Sequence, residues 1–306
     1  MNDNFKNLNT TKNVLFLGNG FSRSVAPKMP AWKDLFNDEN SSIKNYTILY
    51  EKKFINNCNI KEEFIKKELT EKIEAEIKNA IDGKESVAEW FSKFLKRNKI
   101  SDVLTTNYDK GIEYILQRCG YEISSNNSSE KLYSIRRCKM FKNNKNKHQI
   151  KLWKIHGDID AIKSVTLGYD QYCGSLSKLT SYIKGKYETS KMSQVNIGNV
   201  PIEDKCKNPT QKDNGSWAEL FFFNNIYIFG FGMDFSELDI WWLLNKRARI
   251  KKSNPNLIKN TITYYLNPEH DNKKDDIIDA LKVFNVECKQ MNNNKTLVYM
   301  KNVFNV

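Results

Sequence analysis

Four short segments of this 306-residue chain bring together residue types that can do chemistry. The first is Gly18-Asn19-Gly20-Phe21-Ser22, directly after the apolar run Val14 to Leu17. Glycines behind a first strand let the backbone approach a pyrophosphate, whose charge can rest on the following amides. There is no third glycine, and a tight strand-to-helix turn would use the same residues. The second is Thr105-Thr106-Asn107-Tyr108-Asp109, behind a second apolar run. A carboxamide and a carboxylate two residues apart can grip a polar ligand. Equally, Asp109 can cap a helix carrying Ile112, Ile115 and Leu116.

The third segment is Trp153-Lys154-Ile155-His156-Gly157-Asp158. The chain has three histidines, and His156 is the one at a strand end beside a glycine, where an imidazole can serve as general base. A structural histidine is the plain alternative. A metal set of His156, Asp158 and Asp160 is conceivable, but dimetal phosphoesterase chemistry needs more histidines than the chain offers. The fourth is Gly230-Phe231-Gly232-Met233-Asp234, with Ser236 and Asp239 beyond. This loop can pass under a ribose with backbone amides and Ser236 as donors, or simply turn the chain into the next helix. Trp241 and Trp242 in that helix read as core.

In open α/β sheets ligands bind at the carboxyl ends of the strands, and the elements needed to place all four segments there are legible. Apolar runs at 14–17, 100–106, 150–155, 226–229 and 261–266 read as buried strands, with a last one at 297–300. Ile65, Leu69, Ile73, Ile77 and Ile81 recur at helical spacing, and Val87, Trp90, Phe91, Phe94 and Leu95 form a second helical stripe. Residues 240–250 and 275–284 read as helices. The basic stretch 131–147 reads as a surface hairpin or loop, and the polar stretch 190–216 as a long loop. The expected fold is α/β: a Rossmann-like, mostly parallel sheet with helices on both faces and a helical insertion. We expect one domain over 1–306, with the helical insertion at about 37–98 and a polar loop insertion at about 174–220.

Composition sets outer limits. A hydrophobic share of 40% and an aromatic share of 12% suit an ordinary globular protein. No apolar run reaches the roughly 18 residues of a membrane span, and the first residues lack the apolar core of a secretory signal. The six cysteines, at 58, 119, 138, 173, 206 and 288, form no C-x-x-C pair, which fits a reducing cytoplasm. The net charge of +13 would suit nucleic acid or an acidic partner. It also follows from a composition rich in Lys, Asn and Ile, with the lysines spread along the chain among acids.

In this order the four segments resemble the sirtuin-like superfamily. Residues 18–22 are similar to its first glycine loop, usually Gly-Ala-Gly-x-Ser, and Met29-Pro30-Ala31-Trp32 to the Pro-x-Trp that follows it in bacterial members. Residues 105–109 resemble its Thr-x-Asn-x-Asp catalytic segment, 154–158 its His-Gly segment, 166–172 the region beyond, and 230–240 its late glycine loop. The match is a series of islands across nearly the whole chain. The opening loop is also similar to that of bacterial abortive-infection proteins. The two C-x-x-C pairs that hold structural zinc in the protein deacylases are missing here, as is their Pro-Asp-Phe-Arg run. The resemblance is therefore to the bacterial defence branch, whose members hydrolyse NAD.

That resemblance implies NAD as substrate, no zinc, and cleavage of the nicotinamide–ribose bond. By position, His156 would be the base, Asn107 would orient ribose and water, and Asp109 would hold the nicotinamide carboxamide. Gly18, Asn19, Gly20, Phe21, Ser22 and Thr106 would border the pyrophosphate and ribose, and Gly230, Gly232 and Ser236 the adenosine side. It also implies a homo-oligomer, a partner ATPase or phage-derived trigger, an anti-phage role and low resting activity. An NAD or ADP-ribose sensor without turnover, an NAD-dependent protein deacylase and a nucleic-acid-binding subunit are the competing readings. Linear and cyclic ADP-ribose products are both open.

Overall fold

In strand β1, Asn13–Leu17, every side chain from Val14 onward is fully buried. Alternation sends Leu15 and Leu17 into one core and Val14 and Phe16 into another, the signature of a strand covered on both faces. β2 (Ile100–Thr105), β5 (Gln149–Lys154) and β6 (Asn225–Phe229) divide their side chains in the same way: Val103 against Leu104, Leu152 against Trp153, and Phe229 against Ile228. The sheet is thus the middle layer of an α/β/α sandwich. This computed structural model describes residues 11–29, 43, 45–56, 62–81, 85–127, 132–188, 198–213, 215–266 and 275–290.

Among the described residues the sheet has eight strands in the order β3-β4-β5-β2-β1-β6-β7-β8, with β3 at Tyr121–Asn127, β4 at Cys138–Asn143, β7 at Ile262–Leu266 and β8 at Glu287–Gln290. β5, β2, β1, β6, β7 and β8 run parallel to one another. β3–β4 and β4–β5 are antiparallel. The expected mostly parallel α/β sheet is what is found. From β1 the chain builds outward to β2 and β5, then returns to place β6 on the other side of β1. That reversal makes the β1/β6 boundary a topological switch point, the place where open α/β sheets bind ligands.

One face carries helices α1 (Asn19–Val25), α2 (Tyr46–Asn56), α3 (Glu62–Ile81), α4 (Glu85–Arg97) and α5 (Gly111–Arg118). The expected helical stripes lie here: Ile73 and Ile77 of α3 and Phe91, Phe94 and Leu95 of α4 are buried in the first core. The other face carries α6 (Tyr169–Ile183), α7 (Ile202–Lys207), α8 (Trp217–Phe223), α9 (Leu238–Ser253) and α10 (Asp275–Val283). Their buried residues, including Leu179, Phe221, Leu244 and Leu281, form the second core.

Two local expectations are corrected. The basic stretch 131–147 holds the β4 arm of an antiparallel hairpin with β5, one of the two forms expected, but it does not lie on the surface throughout, because β4 is paired on both sides. Its polarity misleads because Lys139 is buried and neutralised by Glu113 at 3.3 Å and Asp158 at 2.7 Å. The polar stretch 190–216 likewise contains α7, whose Ile202 and Cys206 are buried and whose Lys205 is buried against Asp213 at 2.7 Å and Glu219 at 3.0 Å. Residues 30–32 and the strand expected at 297–300 lie outside the described residues. Among the described residues no helix is long and apolar enough to cross a membrane.

Candidate active site

The four segments singled out by residue type sit at the carboxyl ends of the adjacent strands β5, β2, β1 and β6. Parallel pairing fixes their relative depth. Thr105 of β2 is in register with Leu17 of β1 and Lys154 of β5, so Asn107 and His156 each stand two residues beyond the same rung. The Thr105 hydroxyl donates to the Leu17 carbonyl at 2.8 Å and accepts from the Asn107 amide at 3.0 Å, pinning the turn to β1.

The loops after β1 and β6 touch backbone to backbone. The Gly18 amide donates to the Phe229 carbonyl at 3.0 Å, and the Gly20 amide to the Gly230 carbonyl at 2.7 Å. A Cβ on Gly20 would lie 2.7 Å from the Gly230 Cα, and Gly230 has φ +60°, so neither position has room for a side chain. The glycines are therefore required by this joint, whatever ligand the loops bind.

Three expected residues converge. Asn107 Nδ2 donates to Ser22 Oγ at 2.8 Å, and Ser22 Oγ donates to the Asp109 carboxylate at 3.2 and 3.3 Å. Asp109 also accepts the Gly111 amide at 2.8 Å, so the helix-start interaction expected as its alternative role is present too. All three are buried. Burial raises the Asp109 pKa to about 6, against the influence of Lys154, the Gly111 amide and Ser22. Behind them Lys154, fully buried, donates to the carbonyls of Asp109 and, at 3.4 Å, Tyr108 and pairs with Glu113 at 3.1 Å. It clamps the backbone that carries Asn107 and Asp109.

His156 belongs to a second cluster. Its Nε2 lies 3.1 Å from the Asp239 carboxylate and its Nδ1 3.5 Å from Glu237, while the Tyr172 ring stands edge-on with centroids 5.5 Å apart. Burial opposes a charge on the imidazole, but Asp239 and Glu237 outweigh it and raise the pKa to about 9. Tyr108 bridges the two clusters: its hydroxyl donates to the Thr166 carbonyl, and the Thr166 amide donates to the His156 carbonyl at 2.8 Å. His156, Glu237 and Asp239 each offer a metal-ligand atom, all within 4.8 Å of one another. The carboxylates face opposite ring nitrogens, however, whose outward directions diverge. That arrangement suits a protonated ring better than a shared ion.

The remaining expected residues are placed less directly. Phe21 is fully buried against Phe91, with ring centroids 5.4 Å apart, and is a core residue. Asn19 opens α1 and is half-buried, and Thr106 is buried beside Asn107. Gly232 is exposed. The Ser236 hydroxyl is turned onto Asp234 at 2.7 Å. Glu237, Tyr172, Lys154 and Glu113 went unassigned in the sequence reading, and Asp239 was noted there without a role. The signal in the sequence for Glu237 and Asp239 is Ser236-Glu237-Leu238-Asp239, two acids spaced by one residue directly after a glycine loop.

The family model described as a SIR2-like domain matches residues 101–195, about a third of the chain, from β2 through His156 and α6. No curated protein matches the chain. The match supports the sirtuin-like resemblance and, in general terms, an activity that involves NAD.

Proposed function

We propose that this protein is an NAD glycohydrolase that cleaves the nicotinamide–ribose bond, giving nicotinamide and ADP-ribose. The observation that carries the reading is the convergence of Ser22, Asn107 and Asp109 beside the switch point, with His156 one strand away at the same depth. The bond joins a cationic pyridinium to the anomeric carbon. When it breaks, the electron pair neutralises the ring nitrogen and an oxocarbenium-like ribosyl cation remains. No strong acid is needed; orientation, nearby negative charge and an acceptor for the proton of water are. Asn107 orients the ribose and water, Asp109 holds the nicotinamide carboxamide, and His156 with its carboxylates handles the proton. The loops 18–22 and 230–236 flank the pyrophosphate and adenosine.

The donors and acceptors of the proposed site are partnered within the protein. The Gly18 and Gly20 amides are spent on Phe229 and Gly230, and Asn107 and Asp109 hydrogen-bond to Ser22. Substrate must exchange these bonds for its own, which supports low basal turnover raised by a trigger or by assembly. Such control suits an abortive-infection effector that depletes NAD in an anti-phage response. The test is nicotinamide release from NAD by the wild type, Asn107→Ala and His156→Ala at high enzyme concentration. Release by the wild type that falls at least about 100-fold in both variants is expected. NAD binding without release by the wild type would instead mark a sensor, and release that requires an acylated peptide a deacylase.

A further inference from the structure

We propose that Glu237 is a catalytic residue of this site: its carboxylate takes the proton from the attacking water, while His156, held between Asp239 and Glu237, is a fixed cation. The inference rests on the NAD-hydrolase reading. It begins from the imidazole. A histidine that accepts a proton from water needs a ring nitrogen with an unused lone pair. Here Nε2 faces Asp239 at 3.1 Å and Nδ1 faces Glu237 at 3.5 Å. Both carboxylates are acceptors, so the ring satisfies both when each nitrogen carries hydrogen. In that state the ring has no lone pair to offer.

The two carboxylates differ in what else they meet. Asp239 has no exposed side-chain surface, and its oxygens also accept the Ile240 amide at 2.9 Å and the Ser175 hydroxyl at 3.5 Å. Glu237 keeps 19% of its side-chain surface, whereas His156 keeps 3%. It accepts the Tyr172 hydroxyl at 3.3 Å. Of the three charged groups, Glu237 is the one that water can reach. It stands on the loop from β6 into α9, at the switch-point end of the sheet.

The surroundings tune it for the task. The titratable groups facing Glu237 are Asp234 and Asp239 on its own loop and helix, His156 beyond β5, Tyr172 on α6 and Tyr108 beyond β2. Burial, with Asp239 and Asp234, pushes its pKa up to about 7 against the influence of His156 and Tyr172. A carboxylate near neutrality both accepts a proton and returns it to solvent. In the step itself, the water oxygen bonds to the anomeric carbon and one water O–H bond breaks. Its proton goes to the Glu237 carboxylate, giving a neutral acid. The glycosidic pair leaves with nicotinamide.

The test measures single-turnover nicotinamide release between pH 5 and 9 for the wild type, Glu237→Gln, Glu237→Asp and Asn107→Ala, with NAD affinity measured alongside. The wild-type rate should fall on the acid side around pH 7. Glu237→Gln should lose about 100-fold in rate and lose that acid limb with NAD affinity retained, and Glu237→Asp should recover part of both. A Glu237→Gln enzyme within about twofold of wild type, with the acid limb intact, overturns the role of Glu237 while leaving NAD hydrolysis standing. No release by the wild type overturns both.

Discussion

Asp109→Asn offers a test in which stability and function should part. Burial moves this carboxyl from an ordinary value of 3.8 to about 6. A carboxyl that is harder to ionise folded than unfolded favours the folded state below its unfolded pKa. That contribution is lost as pH rises through 6. The full cost of the ionised group is about 3 kcal/mol. Asparagine has nearly the same shape and can keep the Gly111 amide bond. Its amide nitrogen, however, would face Ser22 Oγ, which already accepts from Asn107 Nδ2 at 2.8 Å, a mismatch of about 1 kcal/mol. The variant should therefore be the less stable protein below about pH 4 and the more stable by about 2 kcal/mol at pH 7, where the melting temperature rises by roughly 4 °C. The assay is thermal or urea unfolding of both proteins from pH 4 to pH 8. A stability difference that stays constant with pH, or a variant less stable at pH 7, would refute the argument. Under the proposed function, the same variant should also release nicotinamide more slowly, having lost the carboxylate proposed to hold the carboxamide.

Two further outcomes are expected. His156 should keep its ring proton through neutrality and titrate near pH 9, while burial and Lys96 hold His148 below the ordinary 6.5; histidine NMR titration separates them. Because the His156 value is raised on folding, its contribution to stability is complete below 6.5 and fades as pH approaches 9. A midpoint below 7 would remove the imidazolium. Gly20→Ala would set a Cβ 2.7 Å from the Gly230 Cα. It should cost about 1–3 kcal/mol on urea unfolding and weaken NAD binding; unchanged stability and binding would mean the loops are not joined as described.

What could be read in advance followed from apolar patterning. Strands such as β1 and β6, buried on both faces, are continuous apolar runs, and each delivered its loop to the correct end of the sheet. β8, with the sequence Glu287-Cys288-Lys289-Gln290, is the outermost strand among the described residues, with mostly exposed side chains, and carries no such run. β4 was obscured by Lys139, whose burial depends on Glu113 and Asp158 from other elements. The site divides in the same way. Ser22, Asn107 and Asp109 announce themselves by residue type. Their mutual hydrogen bonds exist because β1 and β2 pair in one register, which no local spacing encodes. The link from His156 to Glu237 and Asp239 spans 81 and 83 positions, the second as an explicit hydrogen-bonded pair. It depends on the loop after β5 meeting the start of α9, which local spacing does not encode.

The glycine joint also bears on how the protein is made. β6, the neighbour of β1 at the switch point, is separated from it by 212 residues, counted from Asn13 to Asn225. At about 5–20 residues per second, a ribosome would take roughly 10–40 s to supply that partner. Until then the Gly18 and Gly20 amides lack their acceptors, and Glu237 and Asp239 do not yet exist. An incomplete chain would carry Asn107 and His156 without the groups that surround them. Under the proposed reading, the site would therefore stay incomplete until β6 and the start of α9 have been made.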